Sequence, residues 1–173
     1  MLILDDSLSH KPHTNENEPV TWHLDHSCDR SVKGINFGSA LYHTTGTAVP
    51  VSFEVVTKPK VVIDPKSGRP RRRAEETKNE KFRRLVRACG DNQIPFRYVL
   101  NDVWYASVEN MTLIHTERHK RFVMPLKPNR SVALSEADRQ AKQYVPLDAL
   151  TWQEGRVRRR IWPKGLTFPV VVT

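Results

Sequence analysis

Leu2-Ile3-Leu4-Asp5-Asp6-Ser7 decides how this chain is read. An apolar, branched run climbs directly into two carboxylates. Branched apolar residues favour strands and Asp is disfavoured in strand interiors, so the acids mark where a buried strand surfaces. The same construction recurs at Phe96-Arg97-Tyr98-Val99-Leu100-Asn101-Asp102. Two strands that each end in Asp can set two carboxylates side by side at one sheet edge. Such a pair repels itself unless a cation sits between, and hard divalent cations prefer oxygen ligands.

Working outward, Lys33 to Tyr42 and Thr47 to Thr57 read as two strands joined at Thr45-Gly46, an antiparallel hairpin. Residues 8–33 are polar and read as a loop. Residues 58–76 contain the turn Asp64-Pro65-Lys66-Ser67-Gly68 and the run Arg69 to Arg73, and read as a mobile basic loop. Thr77-Lys78-Asn79-Glu80 then has the form of a capping box. Phe82, Leu85, Val86 and Cys89 follow at helical spacing, and Gly90 reads as the stop. Ser107 predicts a second helix to about His115, with Val108, Met111 and Ile114 inward. Arg121 to Leu126 reads as a short strand and Ser135 to Lys142 as a short helix. Arg156 to Trp162 and Leu166 to Val172 read as antiparallel strands joined at Pro163-Lys164-Gly165.

Strands that cluster first and then alternate with helices predict an α/β chain with a mixed sheet. In such a sheet the first strand can lie centrally, beside the strand that follows the first helix. That arrangement brings Asp6 and Asp102 together.

The chain has 173 residues, enough for one domain with a core, and a formal net charge of +9. Between Lys58 and Arg87 there are twelve Lys or Arg against four Asp or Glu, so this segment supplies +8 of that charge. A second basic cluster is Arg156, Arg158, Arg159, Arg160 and Lys164. Concentrated basic charge points to a polyanion, most simply nucleic acid. Cys28 and Cys89 lie far apart and imply no disulfide framework, so a reducing compartment is expected. The N-terminus lacks a signal-peptide pattern and no apolar run is long enough for a bilayer, which argues for a soluble chain without a membrane partner. Met1 enters a strand directly and the chain stops inside Phe168-Pro169-Val170-Val171-Val172-Thr173; both ends read as cut from a longer protein.

Other motifs are weaker. His115 and His119 are four apart, and His23, His26 and Cys28 are close, but neither set has a complete zinc spacing. Lys66-Ser67-Gly68-Arg69 lacks the order of a phosphate-binding loop. Trp104 and Tyr105 can stack on a base or pack against the next helix.

These stretches, in this order, resemble the DDE transposases of bacterial insertion sequences, specifically the IS-four-like group. The resemblance rests on Leu2 to Ser7, Lys33-Gly34-Ile35-Asn36, Thr77 to Glu80 and Phe96 to Ser107. Leu126-Lys127-Pro128-Asn129-Arg130 and Trp162-Pro163-Lys164-Gly165-Leu166 complete it. It implies a ribonuclease-H-like mixed five-stranded sheet with flanking helices over residues 1–141, and the beginning of a β-rich insertion over 142–173. It also implies metal-dependent DNA cleavage and strand transfer, using Mg²⁺, for which Mn²⁺ can substitute. The first metal-holding acid maps to Asp6, before Ser7, with Asp5 as the alternative; the second maps to Asp102, 96 residues after Asp6.

The partner implied is double-stranded DNA, held through Lys58, Lys60, Arg71, Arg72, Arg73, Arg158 and Arg160. The intact family can be homodimeric, and the setting is the bacterial cytoplasm, associated with the nucleoid. The family's third acid is a Glu in a pattern of Tyr, two residues, Arg, three residues, Glu, Lys, which this sequence does not contain. The chain alone is therefore expected to be inactive or nearly so, and a DNA-binding remnant or inhibitor of transposition is the alternative role. For a nuclease of other purpose, Glu136, Asp138 and Glu154 are the candidate third acids.

Overall fold

The computed structural model describes residues 1–65, 67–151 and 158–173. Its core is a mixed sheet with β1 (Leu2–His10) at the centre. On one side β1 pairs antiparallel with β3 (Arg30–Thr44), from Leu2↔Tyr42 to His10↔Gly34. On the other side it pairs parallel with β7 (Tyr98–Leu100), through Leu2↔Val99 and Ile3↔Leu100. β8 (Arg121–Val123) continues in parallel beyond β7. The outer edge of β3 carries two strands end to end, β2 (Thr21–Asp25) and β4 (Thr47–Val55). The strand positions β4-β3-β1-β7-β8 therefore form a five-stranded mixed sheet of the ribonuclease-H-like kind, extended by β2.

Residues 8–33 are not one loop. β1 runs on through both acids to His10, and β2 forms a hairpin with the first residues of β3. β1 survives past its acids because β3 pairs with it along its whole length. The approach is close: a Cβ on Gly34 would sit 2.4 Å from the Ser9 carbonyl oxygen, so only glycine fits there.

The basic segment is likewise a hairpin rather than a mobile loop. β5 (Lys60–Ile63) pairs antiparallel with β6 (Pro70–Arg73). Val61, Val62 and Ile63 favour the strand conformation. Asp64 closes the turn, its carboxylate accepting the Ser67 amide at 3.1 Å and its carbonyl accepting the Gly68 amide at 2.8 Å.

α1 (Lys78–Asp91) starts as the sequence indicates, with Thr77 and Glu80 exchanging hydrogen bonds in a complete capping box. It does not stop at Gly90. The helix continues to Asp91, Asn92 caps it, and Gln93 takes the left-handed conformation with φ 58°. Gly90 instead lies beneath the Arg118 guanidinium. Phe82, Leu85, Val86 and Cys89 of α1 pack on Leu2, Leu4 and Ala40 of the sheet and on Val99. α2 (Val108–Thr112), capped by Ser107, runs into a π-helical turn at Leu113–Glu117. Met111, Leu113 and Ile114 are buried there.

A second layer holds a four-stranded sheet in the order β10-β9-β11-β12. Its strands are β9 (Ser131–Ala133), β10 (Val145–Pro146), β11 (Arg159–Pro163) and β12 (Val170–Val172). α3 (Glu136–Gln140) lies between β9 and β10. Val132, Leu147, Leu150 and Ile161 form its separate small core. Among the described residues no helix is long and apolar enough to cross a membrane.

Candidate active site

Alternation along β1 sends its two acids to opposite faces. Leu2, Leu4 and Asp6 face α1; Ile3 and Asp5 face away. Asp6 is half-buried and accepts three side-chain donors: Lys78 Nζ at 2.5 Å, Asn36 Nδ2 at 3.0 Å and the Tyr105 hydroxyl at 3.2 Å. Burial pushes the Asp6 carboxyl up, but the bonds from Lys78, Asn36 and Tyr105 and the charge of Lys78 outweigh it and hold the group below its ordinary value. The donors come from β3, the first turn of α1 and the turn after β7, so Asp6 ties three elements together.

Asp5 is exposed, and its Oδ1 accepts the amide of Asp6 at 2.8 Å. The parallel register pairs Leu2 with Val99 and Ile3 with Leu100, where β7 ends, and Asp5 and Asp102 each lie two residues beyond that last pair. Asp102 ends the run after β7 and caps a 3₁₀ turn at Val103–Tyr105, its Oδ1 accepting the Trp104 amide at 2.9 Å. Its carboxyl is raised above the ordinary value, first by burial and then, against the Trp104 amide, by the charges of Asp5 and, more weakly, Asp6. Of the two acids of β1, Asp5 acts on the Asp102 carboxyl more strongly than Asp6.

Tyr105 is buried and stacks on Phe82 with ring centroids 4.9 Å apart. Burial and then the Asp6 charge raise its phenol, so it remains a hydrogen-bond donor. Fully buried Asn110 fixes this turn: its Nδ2 donates to Tyr105 O at 2.9 Å and to Asn79 Oδ1 at 2.7 Å, and its Oδ1 accepts from Arg83 at 3.0 Å. The roles of Lys78, Asn36 and Asn110 escaped the sequence reading. Lys78 in the capping box and Asn36 on a strand were the only signals there.

His23 is buried on β2 with Nε2 2.9 Å from Thr21 Oγ1, and its pKa falls to about 4 through burial and then the charges of Lys58 and Lys78. A charged imidazole there would face two ammonium groups. His26 stacks on Trp104, His115 lies against Phe168, and the exposed Cys28 thiol only approaches the Asp25 carbonyl. Among the described residues no three His, Cys, Asp or Glu side chains converge to hold a metal.

Among the described residues, Asp5, Asp6 and Asp102 are the carboxylates grouped at this edge of the sheet. The donor set suits a hard cation. Two buried amide oxygens beside the acids, Asn36 Oδ1 and Asn101 Oδ1, also have no hydrogen-bond partner. Glu136 and Asp138 are used locally on α3, pairing with Arg139 and Ser135. Glu154 lies outside the described residues.

The basic residues divide. Lys58 sits close enough to Lys78 that burial and then Lys78's charge lower its pKa, and its carbonyl accepts from Arg72 at 3.3 Å. It roots the β5–β6 hairpin beside the acids. Lys60 and Arg73 are cross-strand partners, as are Val62 and Arg71, which puts Lys60, Arg71 and Arg73 on one face of the ribbon. Arg158 precedes β11 and Arg160 lies on it, both exposed on the second sheet. Among the described residues no hydrogen bond or ion pair links either to the acids.

A family model described as DDE superfamily endonuclease matches residues 1–147, which includes Asp5, Asp6 and Asp102 and every strand of the main sheet. No curated protein and no solved structure matches the chain. The superfamily acts on nucleic acid and generally uses divalent metal ions. With a ribonuclease-H-like sheet whose central strand and its parallel neighbour both run into Asp, the chain belongs to the DDE superfamily endonucleases.

Proposed function

We propose that this chain is the part of a DNA transposase that carries the first two metal-holding acids, Asp5 and Asp102. What supports this reading is the parallel pairing of β1 with β7, two residues short of Asp5 and Asp102, together with the Asp5 charge that raises the Asp102 carboxyl. Asp6, the residue expected from the motif, is neutralised by Lys78 and serves to fix β1 against α1 and the 3₁₀ turn. A bound Mg²⁺ or Mn²⁺ would supply activation of the attacking oxygen and stabilisation of the leaving one. Asp5 and Asp102 would present anionic oxygens from two adjacent strand ends, a rigid base for such an ion. Tyr105, with its raised phenol, stays protonated and donates a hydrogen bond to Asp6. Strand transfer needs the same arrangement as cleavage, with a DNA 3′-hydroxyl in place of water.

The β5–β6 ribbon, with Lys58 at its root, holds duplex DNA by its phosphates. Arg158 and Arg160 extend that hold to β11, within the residues 142–173 that we assign to the start of the insertion. One observation favours a second reading, a DNA-binding chain that inhibits transposition without cutting: no third acid converges on the pair among the described residues. The two readings share the metal pair and the DNA surface. On both, the chain alone binds and does not cut.

Calorimetric titration with Mn²⁺ tests the pair. Binding is expected in the wild type and in Asp6→Asn, and its loss in Asp5→Asn and in Asp102→Asn. Binding that survives Asp5→Asn and vanishes in Asp6→Asn would return the first position to Asp6. Incubation with supercoiled plasmid and Mn²⁺ tests the rest. Nicking that depends on Asp102 would show that a third acid is present after all.

A further inference from the structure

The turn that carries Asp102 also builds the wall of a groove distinct from the acids and from the β5–β6 ribbon. Its volume is about 430 Å³, and Trp104, Ser107, Lys127, Asn129, Arg130 and Lys164 line it. No carboxylate lines it, and among the described residues none of its three cations makes an ion pair. This contrasts with α1, where Lys78, Lys81, Arg84 and Arg87 are all matched to acids. The cations are held in other ways. Arg130 donates to the Ala106 carbonyl at 2.6 Å, Lys127 Nζ lies 4.9 Å from the Trp104 ring centroid, and Lys164 lies over Tyr144 at 5.8 Å. Trp104 itself is 56 % exposed, with His26 stacked on it at 5.1 Å.

Three unmatched cations around an exposed indole are the elements of a single-strand binding site: charge tracks the phosphates and the ring stacks a base, whatever its sequence. A base inside a duplex has no free face to offer, so away from duplex ends the indole has a use where the duplex is opened. We propose that this groove takes an unpaired nucleotide of the DNA strand next to Asp102, its base stacked on Trp104 and its phosphates held by Lys127, Arg130 and Lys164. Lys127 leaves the ring for a phosphate when the base arrives. The proposal rests on the chain being a DNA-cutting domain, and adds that it handles opened rather than fully paired DNA at this edge.

The test compares a thymidine oligonucleotide with a blunt duplex of the same length, by fluorescence anisotropy without divalent metal. Trp104→Ala is expected to weaken single-strand binding about tenfold, within the range for one base–aromatic stack. Duplex binding should change less than twofold, and Trp104→Phe should retain most of the single-strand affinity. Lys127→Ala and Lys164→Ala should each lower the single-strand salt slope by about 0.7. In parallel, a 5-iodouracil oligonucleotide irradiated with the wild-type chain should crosslink to Trp104, a readout that needs no variant to fold.

Unchanged single-strand affinity in Trp104→Ala, equal loss of both ligands, or a crosslink elsewhere would overturn the proposal while duplex binding by the ribbon stands. Absence of binding to either DNA would overturn the proposal and the DNA-cutting reading together.

Discussion

The ammonium of Lys78 lies 2.5 Å from Oδ2 of Asp6, joining the first turn of α1 to the central strand across 72 residues of sequence. The pair supplies Asp6 with a positive charge from within the chain. It also sets the sign of a pH effect. A carboxyl held below its ordinary value in the fold contributes stability above the unfolded pKa, and loses it as pH falls through the folded pKa.

Lys78→Met should therefore lower stability at pH 7 by about 1 kcal/mol, below the full worth of a hydrogen bond to a charged group because the ammonium is half-exposed and screened by solvent. The deficit against wild type should shrink below about pH 4, where Asp6 protonates in the unfolded chain. Urea unfolding at pH 7 and at pH 3 checks both halves. An equal deficit at both pH values would mean that Lys78 acts through α1 alone.

Asp102 has the opposite sign. Its raised carboxyl disfavours the charged form in the fold, a penalty present above the folded pKa and absent below the unfolded one. Asp102→Asn keeps a side-chain oxygen to cap the 3₁₀ turn. It should raise the thermal midpoint at pH 7 and leave it unchanged near pH 3. A destabilised variant at pH 7 would show that capping by the carboxylate outweighs its repulsion with Asp5.

Gly34→Ala puts a methyl 2.4 Å from the Ser9 carbonyl oxygen, which belongs to rigid backbone. The β1–β3 ladder must part locally, at a cost of about 1–3 kcal/mol. Gly38→Ala meets only the flexible end of Leu85, at 3.3 Å, and should cost less. Denaturant midpoints of the two variants rank them.

Replacing Lys60, Arg71 and Arg73 by Ala should flatten the salt dependence of duplex binding. The log–log slope should fall by about 0.9 for each phosphate that is no longer neutralised. Arg158→Ala with Arg160→Ala measures the second surface separately. A slope that does not move in the triple variant would mean that the ribbon's charge keeps the chain soluble and touches no phosphate.

The parts of the fold that bury apolar residues at a regular period were legible in the sequence. Leu2 and Leu4, Val99, and the Phe82-Leu85-Val86-Cys89 stripe lie together in the core, and the Thr77 cap starts α1 where its chemistry says it should. β2 was illegible because its alternation is inverted. Thr21 and His23 point inward while Trp22 and Leu24 are exposed, so polarity marks the wrong face. The β5–β6 ribbon was missed for a related reason: Val61 and Ile63 are exposed on it, and no core rewards the pattern. At the site, the two acids of β1 are adjacent in sequence and opposite in direction. Their surroundings come from strands and turns far away in sequence, as the pairing of β1 with β7 nearly a hundred positions on shows.

Asp102 divides its carboxylate between two tasks. Oδ1 secures the amide of Trp104, and so the start of the turn on which the indole stands. The cap and the indole therefore share one short turn, so that Asp102→Ala, which removes the acceptor altogether, is expected to disturb the stack of Trp104 on His26.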